Sequence, residues 1–167
     1  WLTPLAVEGL VHYADWRPAI LNEKEHSMTI WVACLSPAGT TRQVAEIIVR
    51  EAKREGRSVE LQDLASREAD GGRIRECLSP GDVLCVGSPV YAGQPIPHVM
   101  EFLSRLPNAS GSFAVPFVTY GGVNSGRALC DMAKIMLSKG LRVLGGIKVL
   151  AVHSLLWRLD DPVGKGH

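Results

Sequence analysis

From position 29 onward, apolar runs alternate with stretches in which apolar residues return every three or four positions. The run at 29–35 is almost unbroken, the pattern of a strand covered on both faces. Residues 41–55 then read as a helix, with Val44, Ala45, Ile48, Val49 and Ala52 on one face and Gly56 as its stop. At 58–64 only Val59, Leu61 and Leu64 are apolar, as on an edge strand, and a short helix at 72–78 runs into the turn Ser79-Pro80-Gly81. The segment 83–87, VLCVG, is a second buried strand. The following SPVYAGQPIP, 88–97, holds three prolines and is expected to be irregular. Pro97 suits the first position of a helix whose buried stripe is Val99, Phe102, Leu103 and Leu106.

A third strand at 112–120 contains Pro116, which removes a ladder donor and calls for a bulge. Asn124 or Ser125 caps the next helix, whose stripe is Leu129, Met132, Ala133, Met136 and Leu137, and Gly140 ends it before a last strand at 142–152. Strands alternating with helices over short loops predict an α/β three-layer sandwich. Its five-stranded parallel sheet should have the order 2-1-3-4-5.

Composition narrows the function classes. A net charge of +1 over 167 residues gives no electrostatic reason for a nucleic-acid partner. No apolar run approaches the roughly 18 residues of a membrane span. Cys34, Cys77, Cys85 and Cys130 are scattered without a C-x-x-C pair, which speaks against zinc, an iron–sulfur cluster or a disulfide framework. Free thiols in a reducing cytoplasm are expected. Residues 1–27 lack a signal-peptide pattern and read as an extension before a domain at 28–157. Residues 158–167 read as a tail cut from a longer chain.

In a doubly wound sheet, ligands bind outside the carboxyl ends of the strands where the strand order reverses, here between the first and third strands. Three unusual loops converge there. Ser36, Pro37, Ala38, Gly39, Thr40 and Thr41 end on a helix N-terminus, which offers free amides, hydroxyls and a glycine that lets a ligand approach. Neutral donors of this kind suit a phosphate monoester. A glycine turn with a threonine cap is the purely structural reading of the same residues. The loop lacks the lysine of G-x-x-x-x-G-K-[ST] and the spacing of G-x-G-x-x-G. The second loop carries Pro89, Val90, Tyr91, Ala92 and Gly93, and the third carries Tyr120, Gly121, Gly122 and Asn124. Each presents an aromatic ring beside glycine backbone, as the flank of a planar cofactor requires.

S-P-A-G-T-T, then GSPVYAG, then TYGGVNSGRAL resemble the three FMN-contacting segments of flavodoxin-like proteins. The likeness covers about residues 29–154. It is greatest to flavodoxin modules that accompany two-cluster ferredoxin domains, in which a His-Ser pair like His153-Ser154 recurs near the last strand. The resemblance implies that Ser36, Gly39, Thr40 and Thr41 hold the FMN phosphate, and that residues 89–93 and 120–124 flank the isoalloxazine ring. It also implies electron transfer to a redox partner protein such as a ferredoxin domain. The chain departs from the family at Ala38, where threonine is usual and one phosphate donor is missing, and in its nearly neutral charge. It also lacks the ferredoxin cysteine runs.

Two other classes fit the same residues: an NAD(P)H-dependent FMN or quinone reductase, and an interaction module whose flavin site has decayed. Other chemistries find less support. G-x-S-x-G is absent, and His153 with Ser154 is no triad. His98 and Glu101 share a helix face but make too few ligands for a metal. The carboxylates of a phospho-receiver domain are replaced by Ser36 and by residues 88–91. Cys85, inside an apolar strand, is expected to be inert.

Overall fold

A computed structural model of the chain describes residues 28–65, 72–122 and 124–151. The expected extension at 1–27, the tail at 158–167 and the His153-Ser154 pair lie outside the described residues. In chain order the elements are β1 (Thr29–Cys34), α1 (Thr40–Arg54), β2 (Ser58–Asp63), α2 (Gly72–Cys77), β3 (Val83–Tyr91), β4 (Gln94–Pro95), α3 (Pro97–Ser104), β5 (Phe113–Tyr120), α4 (Ala128–Ser138), β6 (Arg142–Val143) and β7 (Ile147–Leu150). The sheet runs β2-β1-β3-β5-β6, with β7 also paired to β5 and the short β4 attached to β3. Every pairing is parallel except β3 with β4. The expected order 2-1-3-4-5 is therefore present, its fifth position shared by β6 and β7.

The apolar runs are continuous because both faces of the central strands are covered. Trp31, Ala33, Leu84, Val86, Ala114 and Val118 face α2, α3 and α4 through Ile74, Val99, Phe102, Leu103, Met132 and Met136. Their neighbours Val32, Cys34, Cys85 and Phe117 face α1 through Ala45, Val44, Ile48 and Val49. Within that second layer a Cβ on Gly87 would lie 2.2 Å from the Phe117 ring, so the glycine makes room for the ring. At the amino end of the sheet the enclosed Asp82 carboxylate is a hub. Its Oδ1 accepts from the Thr29 amide at 2.9 Å, and its Oδ2 accepts from Trp31 Nε1 and the Ser79 amide, each at 3.0 Å.

Four local expectations change. First, β3 does not stop at Gly87 but continues through Pro89 to Tyr91 and turns back as β4. The backbone of Gly87 points toward β1, accepting from the Leu35 amide, and so does that of Pro89 two residues later. β1 has already ended at the row of Gly87, so the missing proline N–H costs no ladder bond. Second, the irregularity expected at Pro116 lies in the neighbouring strand. Ser112, Ala114 and Tyr120 accept from Arg142, Leu144 and Ala151, so the even positions of β5 face β6 and β7. Pro116 therefore withholds its donor on that side, where the register slips. Ala114 pairs with Val143 but Phe117 with Ile147, leaving Val115 and Pro116 opposite the three residues 144–146.

Third, Leu137 is 57% exposed, outside the buried stripe of α4 that Ala128, Met132 and Met136 form. Fourth, α4 has Arg127 at its N-cap without a side-chain bond, so neither Asn124 nor Ser125 caps it. Asn124 Oδ1 instead accepts from the Gly126 amide at 2.9 Å, closing a turn.

Candidate functional site

The carboxyl edge of the sheet is stepped. β1 ends level with Gly87 and Phe117, whereas β3 runs on four residues to Tyr91 and β5 three residues to Tyr120. At about 3.3 Å per residue, the two strands rise roughly 13 and 10 Å above the foot of the step. The loop 36–41 lies at that foot and the two tyrosines stand at the top, at the switch point between β1 and β3.

In the lower loop, Gly39 takes φ +85° at the N-cap of α1, a conformation that suits glycine. No side chain caps the helix from that position, so the threonine cap of the purely structural reading is absent. Ser36 supplies the bond instead: its Oγ accepts from the Arg42 amide at 3.0 Å, which leaves its own proton available to a ligand. The Gly39 amide is bonded to Ser36 O and the Gln43 amide to Gly39 O. The amides of Ala38, Thr40 and Thr41 have no acceptor among the described residues. A Cβ built on Gly39 meets nothing within 4 Å, so the space beside this glycine is open. Three free donors at the positive end of a helix, with no acidic residue in its first turn, make a strongly anion-attracting corner.

The six loop residues do not all face outward. Pro37 and Ala38 are exposed, and Ser36, Gly39 and Thr40 are half-buried. Thr41 is fully enclosed, and its Oγ1 lies 2.7 Å from Thr119 Oγ1 on β5, reaching across β3. The Thr41 hydroxyl is thus committed inward, and its backbone amide is what it offers to the loop.

The upper walls are built from backbone. Tyr91, Ala92, Gly93 and Gln94 form a two-residue hairpin with positive φ at both central positions, 50° at Ala92 and 77° at Gly93, as a primed type I turn requires. The turn is fastened to the third loop, because the Arg127 amide donates to Gly93 O at 3.0 Å. The Cα of Gly126 lies so close that a Cβ there would sit 2.3 Å from Gly93 O. Tyr91 is 42% exposed and Tyr120 half-buried. Pro89 and Val90 are half-buried beneath the turn, and Ala92 is exposed. Gly121, Gly122 and Asn124 follow directly from β5, and a Cβ on Gly122 would meet only open space. The structure therefore brings the three predicted loops to one edge.

Three contributors escaped the sequence reading. Thr119 is buried beside the crevice, and its only signal was a hydroxyl residue just before Tyr120 in an apolar strand. Gly126 seats the hairpin. Arg42 carries a cation beside the loop, with Nε donating to Glu46 Oε1 and Nη1 to Asp63 Oδ2, both at 2.9 Å. Glu46, and after it Asp63, hold the guanidinium pKa above its usual value. The thiol nearest the loop, Cys34, is pushed up to about 11 by burial and then by the Asp63 carboxylate. Burial alone raises Cys85 to about 12, which makes both thiols poor nucleophiles. Among the described residues no cluster of His, Cys, Asp and Glu could hold a metal ion, and no helix is long and apolar enough to cross a membrane.

The fold is flavodoxin-like. No protein-family model and no curated protein matches the sequence. Among solved structures the chain is similar to an archaeal flavodoxin, with a TM-score of 0.60 and 22% identity over 78% of this chain and 90% of the other. A flavoprotein from Lactobacillus acidophilus, solved in complex with FMN, matches with a TM-score of 0.55 and 20% identity, over 74% of this chain and 94% of that one. The rubredoxin oxygen:oxidoreductase of Desulfovibrio gigas matches with a TM-score of 0.60 and 19% identity over 75% of this chain. The match covers 31% of that enzyme, so the chain corresponds to under a third of its length.

Proposed function

We propose that the chain binds FMN non-covalently and serves as an electron-transfer domain. The observation that carries this reading is the trio of free amides on Ala38, Thr40 and Thr41. They surround a left-handed glycine at the foot of a step whose walls hold Tyr91 and Tyr120. These donors fit a phosphate monoester, joined by the hydroxyls of Ser36 and Thr40. The step between loop and tyrosines leaves open space beside Gly39 and beside Gly122. Residues 89–93 and 120–124 would flank the isoalloxazine ring, with backbone amides of Gly93, Gly121 and Gly122 at its polar edge. The FMN complex of the Lactobacillus acidophilus flavoprotein, on a similar fold, supports the same choice of cofactor.

Bound FMN would supply a ring that takes up and releases one or two electrons. The protein's part is to hold it, exclude water from one side and set its potential through the amides and the two tyrosines. Loops 36–41, 88–97 and 120–125 contain no Asp, Glu, Lys or His, so no side chain there is suited to move a proton near neutral pH. An electron carrier needs no such side chain. The natural partner is another redox protein, such as a ferredoxin domain, in the cytoplasm.

Titration of the apo-protein with FMN tests the reading. Flavin fluorescence should be quenched and a shifted bound-flavin spectrum should appear. Absence of both changes would defeat both redox functions and leave an interaction module on a flavodoxin-like fold. Steady oxidation of NADPH by the loaded protein with a quinone would replace the carrier with a reductase.

A further inference from the structure

Arg42 is the first charged residue after the loop 36–41, and its backbone is tied to that loop, since its amide donates to Ser36 Oγ at 3.0 Å. Its guanidinium leads elsewhere. Nε donates to Glu46 Oε1 one helical turn on, and Nη1 donates to Asp63 Oδ2 at the end of β2, each at 2.9 Å. Asp63 pairs with Cys34, two residues short of Ser36, and its Oδ1 accepts from the Ala65 amide at 2.9 Å. The carboxylate is therefore fixed below the level of the loop, and the guanidinium is drawn down to it. After burial, the influences on the Cys34 thiol are the charges of Asp63, Arg42 and Glu46, in keeping with a trio that sits beside the end of β1.

Two carboxylates against one guanidinium leave a surplus of one negative charge, about a helical turn from the amides of Ala38, Thr40 and Thr41. All three side chains are about half exposed, so their charges act through a water-like medium and are open to screening by salt. The amide corner attracts an anion, and the flank beside it repels one. We propose that Glu46 and Asp63 hold down the affinity of the corner for a phosphate dianion, by turning Arg42 away from it and by outweighing its charge. This rests on the FMN reading above. It gives the pair a role separate from the three loops: they limit how much of the binding comes from the phosphate, and make the site less selective for FMN over riboflavin than the amides alone would.

The experiment uses the full chain with Glu46→Gln and Asp63→Asn, which keep side-chain shape and remove one charge each, and with the double variant. Dissociation constants for FMN and for riboflavin are measured by flavin fluorescence at about pH 8, where the phosphate is a dianion. Each titration is run at an ionic strength of about 10 mM and again at about 0.5 M. A unit charge about 10 Å from a dianion in a water-like medium alters affinity by about two- to fourfold at the lower salt. Glu46→Gln and Asp63→Asn should each tighten FMN by that factor, and the double variant by at least the product of the two. Riboflavin should be unaffected, and at the higher salt the gain should shrink to under about 1.5-fold. If Asp63→Asn does not fold, Glu46→Gln makes the same comparison from the helix alone. Unchanged or weaker FMN binding in the variants overturns the proposal. So does an equal gain for riboflavin, or one that survives high salt, because the phosphate would then not be what the carboxylates act on. Wild-type protein that binds no FMN defeats the underlying reading, whereas wild type and Glu46→Gln binding FMN equally well at low salt defeats only this inference.

Discussion

Gly126→Ala should loosen both walls of the crevice at once. The new Cβ would lie 2.3 Å from Gly93 O, 2.4 Å from its Cα and 2.7 Å from its C, all backbone atoms that cannot rotate aside. Restoring ordinary contact needs a displacement of roughly 1 Å. The displacement would pull the 91–94 hairpin away from the loop before α4 and stretch the 3.0 Å bond from the Arg127 amide to Gly93 O. The φ of +56° at Gly126 adds about 1–2 kcal/mol once a Cβ is present. The lost hydrogen bond adds about 1 kcal/mol. A total of about 2–3 kcal/mol should lower Tm by roughly 5–10 °C in a chain of this size.

About half of that loss should reach binding, because Tyr91 moves with the hairpin: FMN should bind about tenfold more weakly, the equivalent of about 1.4 kcal/mol. Two neighbouring glycines calibrate the result. A Cβ on Gly93 would be 3.4 Å from Gly126 Cα, so Gly93→Ala carries only the left-handed strain of about 1–2 kcal/mol. Gly122→Ala meets open space in the protein without ligand, and its stability should fall within about 0.5 kcal/mol of wild type. Thermal melts on the three variants should rank Gly126 worst, Gly93 next and Gly122 near neutral. A Gly126→Ala protein that melts and binds like wild type would refute the view that the two loops are seated on each other.

Three further outcomes follow from other contacts. Ala38→Thr places a hydroxyl beside the free amides, and a bond to a charged phosphate, about 1.5–3 kcal/mol, should tighten FMN by tenfold or more without tightening riboflavin. Asp82→Asn turns an acceptor into a donor facing either the Thr29 amide or the Trp31 and Ser79 pair. Chemical denaturation should show a loss of about 1–3 kcal/mol, while FMN affinity, set at the opposite end of the sheet, stays unchanged. The Cys34 and Cys85 thiols have folded pKa values near 11 and 12 against an ordinary 9.0. Above pH 9 the unfolded chain releases these protons while the folded one keeps them, so stability should be complete below pH 9 and fall as pH rises through 11 to 12. Denaturant midpoints across that range check the sign. At pH 8 a thiol reagent should modify the exposed Cys77 and Cys130 quickly and the other two only after unfolding.

Much of the architecture could be read from apolar runs because the central strands are buried on both faces, and a run as short as 83–87 between turn residues fits little but a covered strand. The convergence of three loops followed from strand order alone. What the pattern could not carry was tertiary. Pro89 looked like a strand breaker, since nothing local reveals that β1 has ended before the missing donor matters. Leu137 fits the periodicity of α4 but lies beyond what the sheet covers. Ser36 rather than a threonine supplies the bond to the first turn of α1, because Gly39 takes the cap position with a left-handed φ. The inward turn of Thr41 depends on a residue 78 positions away, and no local spacing encodes such a partner.

The one-residue slip between β6 and β7 also bears on how the molecule meets other chains. Among the described residues β6 and β7 form an outer sheet edge, and such an edge is a template on which a foreign strand can extend the ladder, a long regular one inviting uncontrolled growth. Here a strand aligned with Arg142–Val143 would arrive out of phase at Ile147–Leu150, with its side chains on the wrong faces. Lys148 adds a charge midway along the second piece. Pro116, which seemed only to weaken its own strand, thus accompanies a fault in the adjacent one that works against polymerisation.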